Sequence, residues 1–276
     1  MHRIILSGMP GKMITTVAER MTQVTAHPYN LNVHFIALAG PDMPQRYKVL
    51  KQEFRLLSPQ EHEAELRYCM ANWAPAPTVV DFSTPDVINK NAELYCKCKI
   101  PFVMGTTGGD RKALERVVID SGNIAVISPN MAREVAEFEI NLIDVVRRFP
   151  GEYKGYKLEI VESHQESKKD KSGTALNFLK YFQALGVEAT PENIISIRDK
   201  ETQRKMGIPE EFLDSHAWHT YSLTSPDGKV NVTRRHNING RVPYADGTIE
   251  AISFLILKYA AGKKGIVYNM LDVYRK

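Results

Sequence analysis

The stretch "ESHQESKKDKSGTAL", residues 162–176, gathers a histidine at 164, a lysine at 168 and the run Ser172-Gly173-Thr174. Each residue type brings a chemistry. An imidazole titrates near neutrality and can pass protons in either direction. A lysine ammonium beside a bound anion stays charged, and it can donate a proton or hold a carboxylate. Ser172-Gly173-Thr174 precedes "ALNFLKYFQAL", in which Leu179, Phe182 and Leu185 share one helical face. A serine at such a start is a helix cap first. The free N–H groups of the same first turn also bind carboxylates. Capping accounts for these residues taken alone. His164 at the end of the alternating strand "YKLEIVES", and Lys168 and Gln165 in the following loop, point further. Together they suit a small substrate that carries carboxylates and needs a proton. Arg241, in "HNINGRVPYADG", either binds another carboxylate or braces a hinge.

A second constellation lies at the start of the chain, where "SGMPGKM" supplies Gly8, Met9, Pro10, Gly11, Lys12 and Met13 between an apolar run and an amphipathic segment. Glycines there let the backbone approach a pyrophosphate, and the helix N-terminus offers unpaired N–H groups. The usual third glycine is replaced by Ile14. The acid expected after the second strand to hold a ribose hydroxyl is also absent, since Asp42 comes late and follows a proline. Its absence removes repulsion against a 2′-phosphate, so NADPH fits as well as NADH, with Lys12, Arg46 or Lys48 as its cation. "GTTGG" contributes Gly105, Thr106 and Thr107 at another strand end, with room for a flat nicotinamide ring.

These groups need elements to position them. "RIILSG" is a continuous apolar run and reads as a buried parallel strand. Ile14, Val17, Met21 and Val24 then repeat at helical spacing. "VHFIALAG", "TVVDFSTP", "PFVMGTTGG" and "NIAVISPN" continue the alternation of strand and helix. This predicts an α/β fold with a Rossmann-like, doubly wound parallel sheet. Beyond residue 130 comes a long helix with Val135, Phe138, Leu142 and Val146 on one side, followed by the half-buried strands "YKLEIVES", "HAWHTYSLTS" and "VNVTRRHNI". Alternation of this kind predicts an open sheet in a second, α+β domain for substrate binding and oligomerisation. The expected boundaries are 1–131, completed by 245–276, for the dinucleotide-binding domain, and 132–244 for the second.

The bulk composition excludes some classes. The chain has 276 residues, 43% of them apolar, and a net charge of +4. That balance does not describe a dedicated nucleic-acid binder. No apolar run reaches the roughly 18 residues of a membrane helix. The three cysteines, Cys69, Cys96 and Cys98, have no metal-site spacing and read as ordinary thiols of a reducing compartment. His216, His219 and His236 lack accompanying cysteines or carboxylates, so packing between strands is expected of them and no metal is assigned. No targeting segment is visible in "MHRIILSG".

The motifs together resemble the dihydrodipicolinate reductase family, also called 4-hydroxy-tetrahydrodipicolinate reductase. Its signature, Glu-x-His-His-x-x-Lys-x-Asp-x-Pro-Ser-Gly-Thr-Ala, is read here from Glu162 to Ala175, one residue shorter for want of the proline. "GMPGKM", "VVDFSTP", "PFVMGTTGG", "ISPNM", "SHAWH", "HNINGR", "YADGT" and "YNMLDV" extend the resemblance along nearly the whole chain. Gln165 after the histidine, the short loop, "PFVMGTTGGDR" and "LTSPD" resemble the plant-type branch. The resemblance implies NADPH- or NADH-dependent reduction of a cyclic dicarboxylate in diaminopimelate and lysine biosynthesis. His164 would be proton donor and acceptor, and Lys168 proton donor. Ser172, Gly173 and Thr174 would hold a substrate carboxylate. Gly8 to Met13, Gly105 to Thr107, and Ser128, Pro129, Asn130 and Met131 would line the nucleotide. Homodimers or homotetramers are implied, in the cytoplasm, or in a plastid if a transit peptide has been removed. Ile14, Ala132, Arg133 and Lys171 depart from the family pattern.

Overall fold

The computed structural model describes residues 1–23 and 30–275. In chain order the elements begin β1 (His2–Met9), α1 (Lys12–Gln23), β2 (Leu31–Ala39), β3 (Arg46–Val49), β4 (Gln52–Leu57) and α2 (Pro59–Asn72). There follow β5 (Thr78–Asp81), α3 (Ile88–Lys97), β6 (Phe102–Met104), α4 (Arg111–Ser121), β7 (Ile124–Ile127) and α5 (Arg133–Arg148). Next come β8 (Lys157–His164), α6 (Gly173–Ala184), β9 (Ile194–Ile197), α7 (Lys200–Lys205), β10 (His216–Thr224) and β11 (Asn231–Asn239). The chain ends with α8 (Val242–Ala260), β12 (Ile266–Tyr268) and α9 (Met270–Tyr274). Two compact units result: Met1–Arg133 with Val242–Lys276, and Glu134–Arg241.

The first unit is built on an eight-stranded sheet of order β12-β7-β6-β5-β1-β2-β4-β3. Every pairing in it is parallel except that of β3 with β4. Outward from β1 the order reverses direction, the switch point at which α/β sheets bind ligands beyond their carboxyl ends. Ile5, Val79, Phe102, Met104 and Ala125 join one core with Leu66 of α2, Ala92 and Tyr95 of α3 and Leu114 of α4. The alternate residues Ile4, Leu6, Val80, Val103 and Val126 are equally buried and face the other side. α8 packs on β5, β6, β7 and α1, covering that side. The sheet is therefore doubly wound, as its unbroken apolar runs predict. Val24, the last member of the helical repeat in α1, lies outside the described residues.

Two features have no counterpart in the sequence reading, which has no element between residues 41 and 77. The β3–β4 hairpin turns through Leu50, a non-glycine residue at φ +53°, so the glycine or asparagine that advertises a hairpin is missing. α2 begins at Pro59, and its cap Ser58 donates its N–H to the Glu61 carboxylate at 2.9 Å. That capping box was readable in "SPQE".

The second unit carries a four-stranded sheet of order β11-β10-β8-β9. β10 pairs antiparallel with β8 and β11, whereas β9 runs parallel to β8. One face is covered by α6, whose Phe178 stacks against Tyr221 while Phe182 meets it tilted, and by Phe138 of α5. On the opposite face of β11, Asn231, Thr233, Arg235 and Asn237 are exposed. The predicted wet face is this one. Among the described residues no helix is long and apolar enough to cross a membrane, and the three cysteines are buried and unbridged.

Candidate active site

In the first unit the sequence candidates sit at the carboxyl ends of β1, β6 and β7. Gly8 has φ +100°, and a Cβ there would lie 2.7 Å from the backbone of Phe82 and Ser83. A Cβ on Gly11 would meet the Gly8 carbonyl at the same 2.7 Å. Only glycine fits either place. The first main-chain bond of α1 runs from Thr15 N–H to the Gly11 carbonyl, so the amides of Lys12, Met13 and Ile14 precede the helical ladder. No acid occupies that first turn. Free amides, the positive end of the helix dipole and a bare glycine backbone fit the pyrophosphate of a dinucleotide. Ile14, in place of the third glycine, is buried in the core with Val17 and Ala18.

The "GTT" loop is tied to its neighbours. Gly105 N–H donates to Asp81 O at 3.0 Å, Thr106 Oγ1 to Ser83 O at 2.8 Å, and Arg111 Nη2 to Thr106 O at 2.6 Å. Sequence reasoning missed Asp81 beneath it. This buried carboxylate accepts from Ser83 N and Oγ, Asn91 Nδ2 and Tyr95 Oη at 2.6–2.9 Å. An acid closing the apolar run "TVVD" was its signal. Ser128 Oγ bonds Asn130 O at 2.9 Å, while Pro129 and Thr107 are exposed. Met9 and Met131 are each 1% exposed, so their side chains belong to the core. Arg46 pairs with Glu53 at 2.8 Å, whereas Lys12 and Lys48 are exposed.

In the second unit the residues of "ESHQESKKDKSGTAL" converge on a group the sequence reading did not single out, the Glu162 carboxylate. It is fully buried. His164 Nδ1 lies 2.6 Å from its Oε2, Arg198 reaches its two oxygens at 3.0 and 2.6 Å, and Ser196 Oγ donates at 2.6 Å. The Ser172 amide approaches Oε1 at 3.4 Å. Burial acts to raise the Glu162 carboxyl, but the hydrogen bonds from His164, Arg198 and Ser196 outweigh it and hold it far below the usual carboxylate range. Its position was legible in part. Leu158, Ile160 and Glu162 share the inward parity of β8, and a charge at a core position demands partners.

Ser172 caps α6, its Oγ accepting from Ala175 N at 3.4 Å, and the same hydroxyl lies 2.8 Å from His219 Nε2. The His219 ring meets the His164 ring edge-on at 5.1 Å. Gly173 opens the helix with open space where a Cβ would stand. Lys168 points its ammonium at Asp170, 2.9 Å from both carboxylate oxygens. Lys171 is engaged with the Pro191 and Ile194 carbonyls. Gln165 O accepts from Lys168 N at 3.0 Å, closing the loop turn. Arg241 is half-buried just before α8 and is not joined to this cluster.

The three core histidines do what packing would have them do. Register pairs His219 with His236, and their rings stack at 4.6 Å. His216 Nε2 lies 2.8 Å from Ser163 Oγ. Burial, and then the charge of His164, lowers His236 to about 4. Burial, and then His236 and His164, holds His219 well below its ordinary value. An unfolded histidine takes up its proton near 6.5, before the folded His236 does. Stability is therefore fully present above about pH 6.5 and declines as the pH falls toward about 4. Melting temperature should drop steadily across that window, with a shallower slope in His236→Phe. An equal slope in both proteins would remove His236 from the account.

Comparison with known proteins matches the chain in two parts, the second of which runs on through α8, β12 and α9 of the first unit. Residues 2–131 match the family model "Dihydrodipicolinate reductase, N-terminus", and residues 140–274 match "Dihydrodipicolinate reductase, C-terminus". A probable 4-hydroxy-tetrahydrodipicolinate reductase 2, chloroplastic, of Oryza sativa subsp. japonica is 40% identical over 274 residues, covering 99% of this chain and 83% of that protein. The corresponding chloroplastic reductase 1 of Arabidopsis thaliana is 41% identical over 276 residues, covering 99% and 78%. Among solved structures, a dipicolinate-bound dihydrodipicolinate reductase from Paenisporosarcina sp. TG-14 superposes with a TM-score of 0.65 at 16% identity, covering both chains completely. At that identity the likeness speaks for the fold.

Proposed function

Because this chain belongs to the dihydrodipicolinate reductase family, we propose that it is an oxidoreductase that reduces 4-hydroxy-tetrahydrodipicolinate to tetrahydrodipicolinate, a step of diaminopimelate and lysine biosynthesis. The observation that carries the reading is the grouping of His164, the Lys168 loop and the Ser172 cap around one buried carboxylate. NADPH or NADH supplies the hydride when bound, and water leaves the substrate. The first unit is the dinucleotide-binding domain. There Gly8 to Met13 cradle the pyrophosphate on main-chain amides, Gly105, Thr106 and Thr107 border the nicotinamide, and Ser128 to Met131 complete the edge. The second unit binds the substrate. Ser172, Gly173 and Thr174 hold one carboxylate on the first turn of α6, and Gln165 and Arg241 add donors for the remaining polar groups. His164 exchanges the proton that accompanies reduction. Lys168 donates a proton and balances the dianion's charge, exchanging Asp170 for the substrate as it does so.

The chain assembles as a homodimer or homotetramer, and it works in the cytoplasm or, in an organism with plastids, in the plastid, as the names of its plant relatives suggest. The decisive assay generates the substrate in place with the upstream synthase and follows oxidation of NADPH and of NADH. We expect consumption of at least one cofactor, inhibited by pyridine-2,6-dicarboxylate in competition with substrate. Oxidation of neither would leave a binding protein of the same fold. Reduction without competition would remove the carboxylate site.

A further inference from the structure

Glu162 is closed off from solvent and Arg198 is mostly buried, yet both candidate proton donors are attached to them. Glu162 is fully buried and ionised, so it accepts hydrogen bonds and cannot donate one. Its 2.6 Å contact to His164 Nδ1 therefore requires the proton on Nδ1. That leaves His164 Nε2 as the atom free to exchange a proton. The imidazole is 13% exposed, and its main-chain carbonyl is held by Gln203 Nε2 at 2.8 Å. Ring and backbone are both fixed.

Arg198 does more than neutralise Glu162. Besides its two contacts to the carboxylate, its Nε donates to the Lys168 carbonyl at 2.8 Å and its Nη2 to the Asp170 carbonyl at 3.1 Å. One planar guanidinium thus spans the histidine's partner and the main chain on either side of the lysine's loop. A lysine at 198 could keep the charge but could not reproduce that fork. An ion pair kept for stability alone is the bland alternative, since buried pairs often stabilise little. Such a pair has no reason to end on the ring nitrogen of one proton donor and the loop carbonyls of the other.

We propose that Glu162 and Arg198 are positioning residues for the reduction: Glu162 sets the tautomer and orientation of His164, and Arg198 ties the Lys168 loop to the same carboxylate. The inference rests on the reductase reading, and its test separates the two. The first arm is a double-mutant cycle in the coupled assay, with kcat and KM measured separately. Glu162→Gln keeps the side-chain volume and should lower kcat about tenfold or more, with KM little changed, because a misplaced tautomer impairs only proton transfer. In a His164→Ala background the same change should cost less than about threefold. Arg198→Lys should behave in the same way against Lys168→Ala, and it carries the cycle if Glu162→Gln does not fold. Effects that multiply would show a merely structural pair and overturn the proposal.

The second arm needs no turnover. The ring nitrogen-15 shifts of His164 should report the Nδ1–H tautomer in the parent protein and its loss in Glu162→Gln. An Nε2–H tautomer in the parent overturns the proposal even if the enzyme is active. Conversely, an inactive parent with the expected tautomer defeats the reductase reading and leaves the positioning intact.

Discussion

Lys168→Ala should turn over substrate at least ~100-fold more slowly than the parent chain, the scale on which a positioned proton donor acts. Its folding should scarcely change. The Lys168 side chain is 21% exposed and its partner Asp170 is 76% exposed. An ion pair that open contributes about 0–1 kcal/mol. The loop itself is held by its main chain, through Arg198 to the Lys168 and Asp170 carbonyls and through the Lys168 N–H to Gln165 O. Truncating the side chain removes the ammonium and leaves that frame in place. The signature is thus a collapse of kcat at an unchanged melting temperature. Turnover within a few-fold of the parent would sink the role assigned to the lysine. A parallel fall in melting temperature would mean that the loop, and not the donor, had been lost.

Gly247→Ala should destabilise the protein by more than ~3 kcal/mol, the upper range for overpacking a closed contact. Helix propensity alone argues the reverse sign, because alanine in a helix interior is better than glycine by about 1 kcal/mol. Gly247 lies within α8, and a Cβ there would overlap the Met131 carbonyl oxygen and come 3.3 Å from Tyr274 Oη. The overlap is with main chain, so no rotamer change relieves it. Met131 also closes the edge at which the nucleotide is proposed to bind, so cofactor affinity should fall in whatever protein folds. Gly173→Ala is the control for stability, since nothing lies within 4 Å of the Cβ it would add. Thermal melting of both variants checks the pair. A Gly247→Ala protein as stable as the parent would mean that α8 can move away from the β7 edge without cost.

What the sequence determined by itself is what short-range pattern can carry. Unbroken apolar runs named β1, β5, β6 and β7 as strands of a two-sided parallel sheet, because a strand buried on both faces has no polar alternation. Gly8 marked a sharp turn since its positive φ excludes other residues, and Ser172 marked a helix start since its hydroxyl caps one. The spacing of His164, Lys168 and Ser172 could be read because strand end, loop and cap are contiguous. Elements whose turns lack signature residues, such as the β3–β4 hairpin through Leu50, stayed hidden for the same local reason.

Tertiary structure alone decided what the site residues touch. Arg198 stands 36 residues beyond Glu162 and reaches it only because β9 lies parallel to β8 with Ser163 opposite Ile197. His219 meets His236 through strand register and Ser172 through the packing of α6 on the sheet, neither of which local spacing encodes. A buried carboxylate must recruit donors from wherever the fold brings them, since an unpaired charge in the core costs several kcal/mol. The chain's local grammar thus announced the proton donors, and the long-range closure of the sheet chose the groups that hold them.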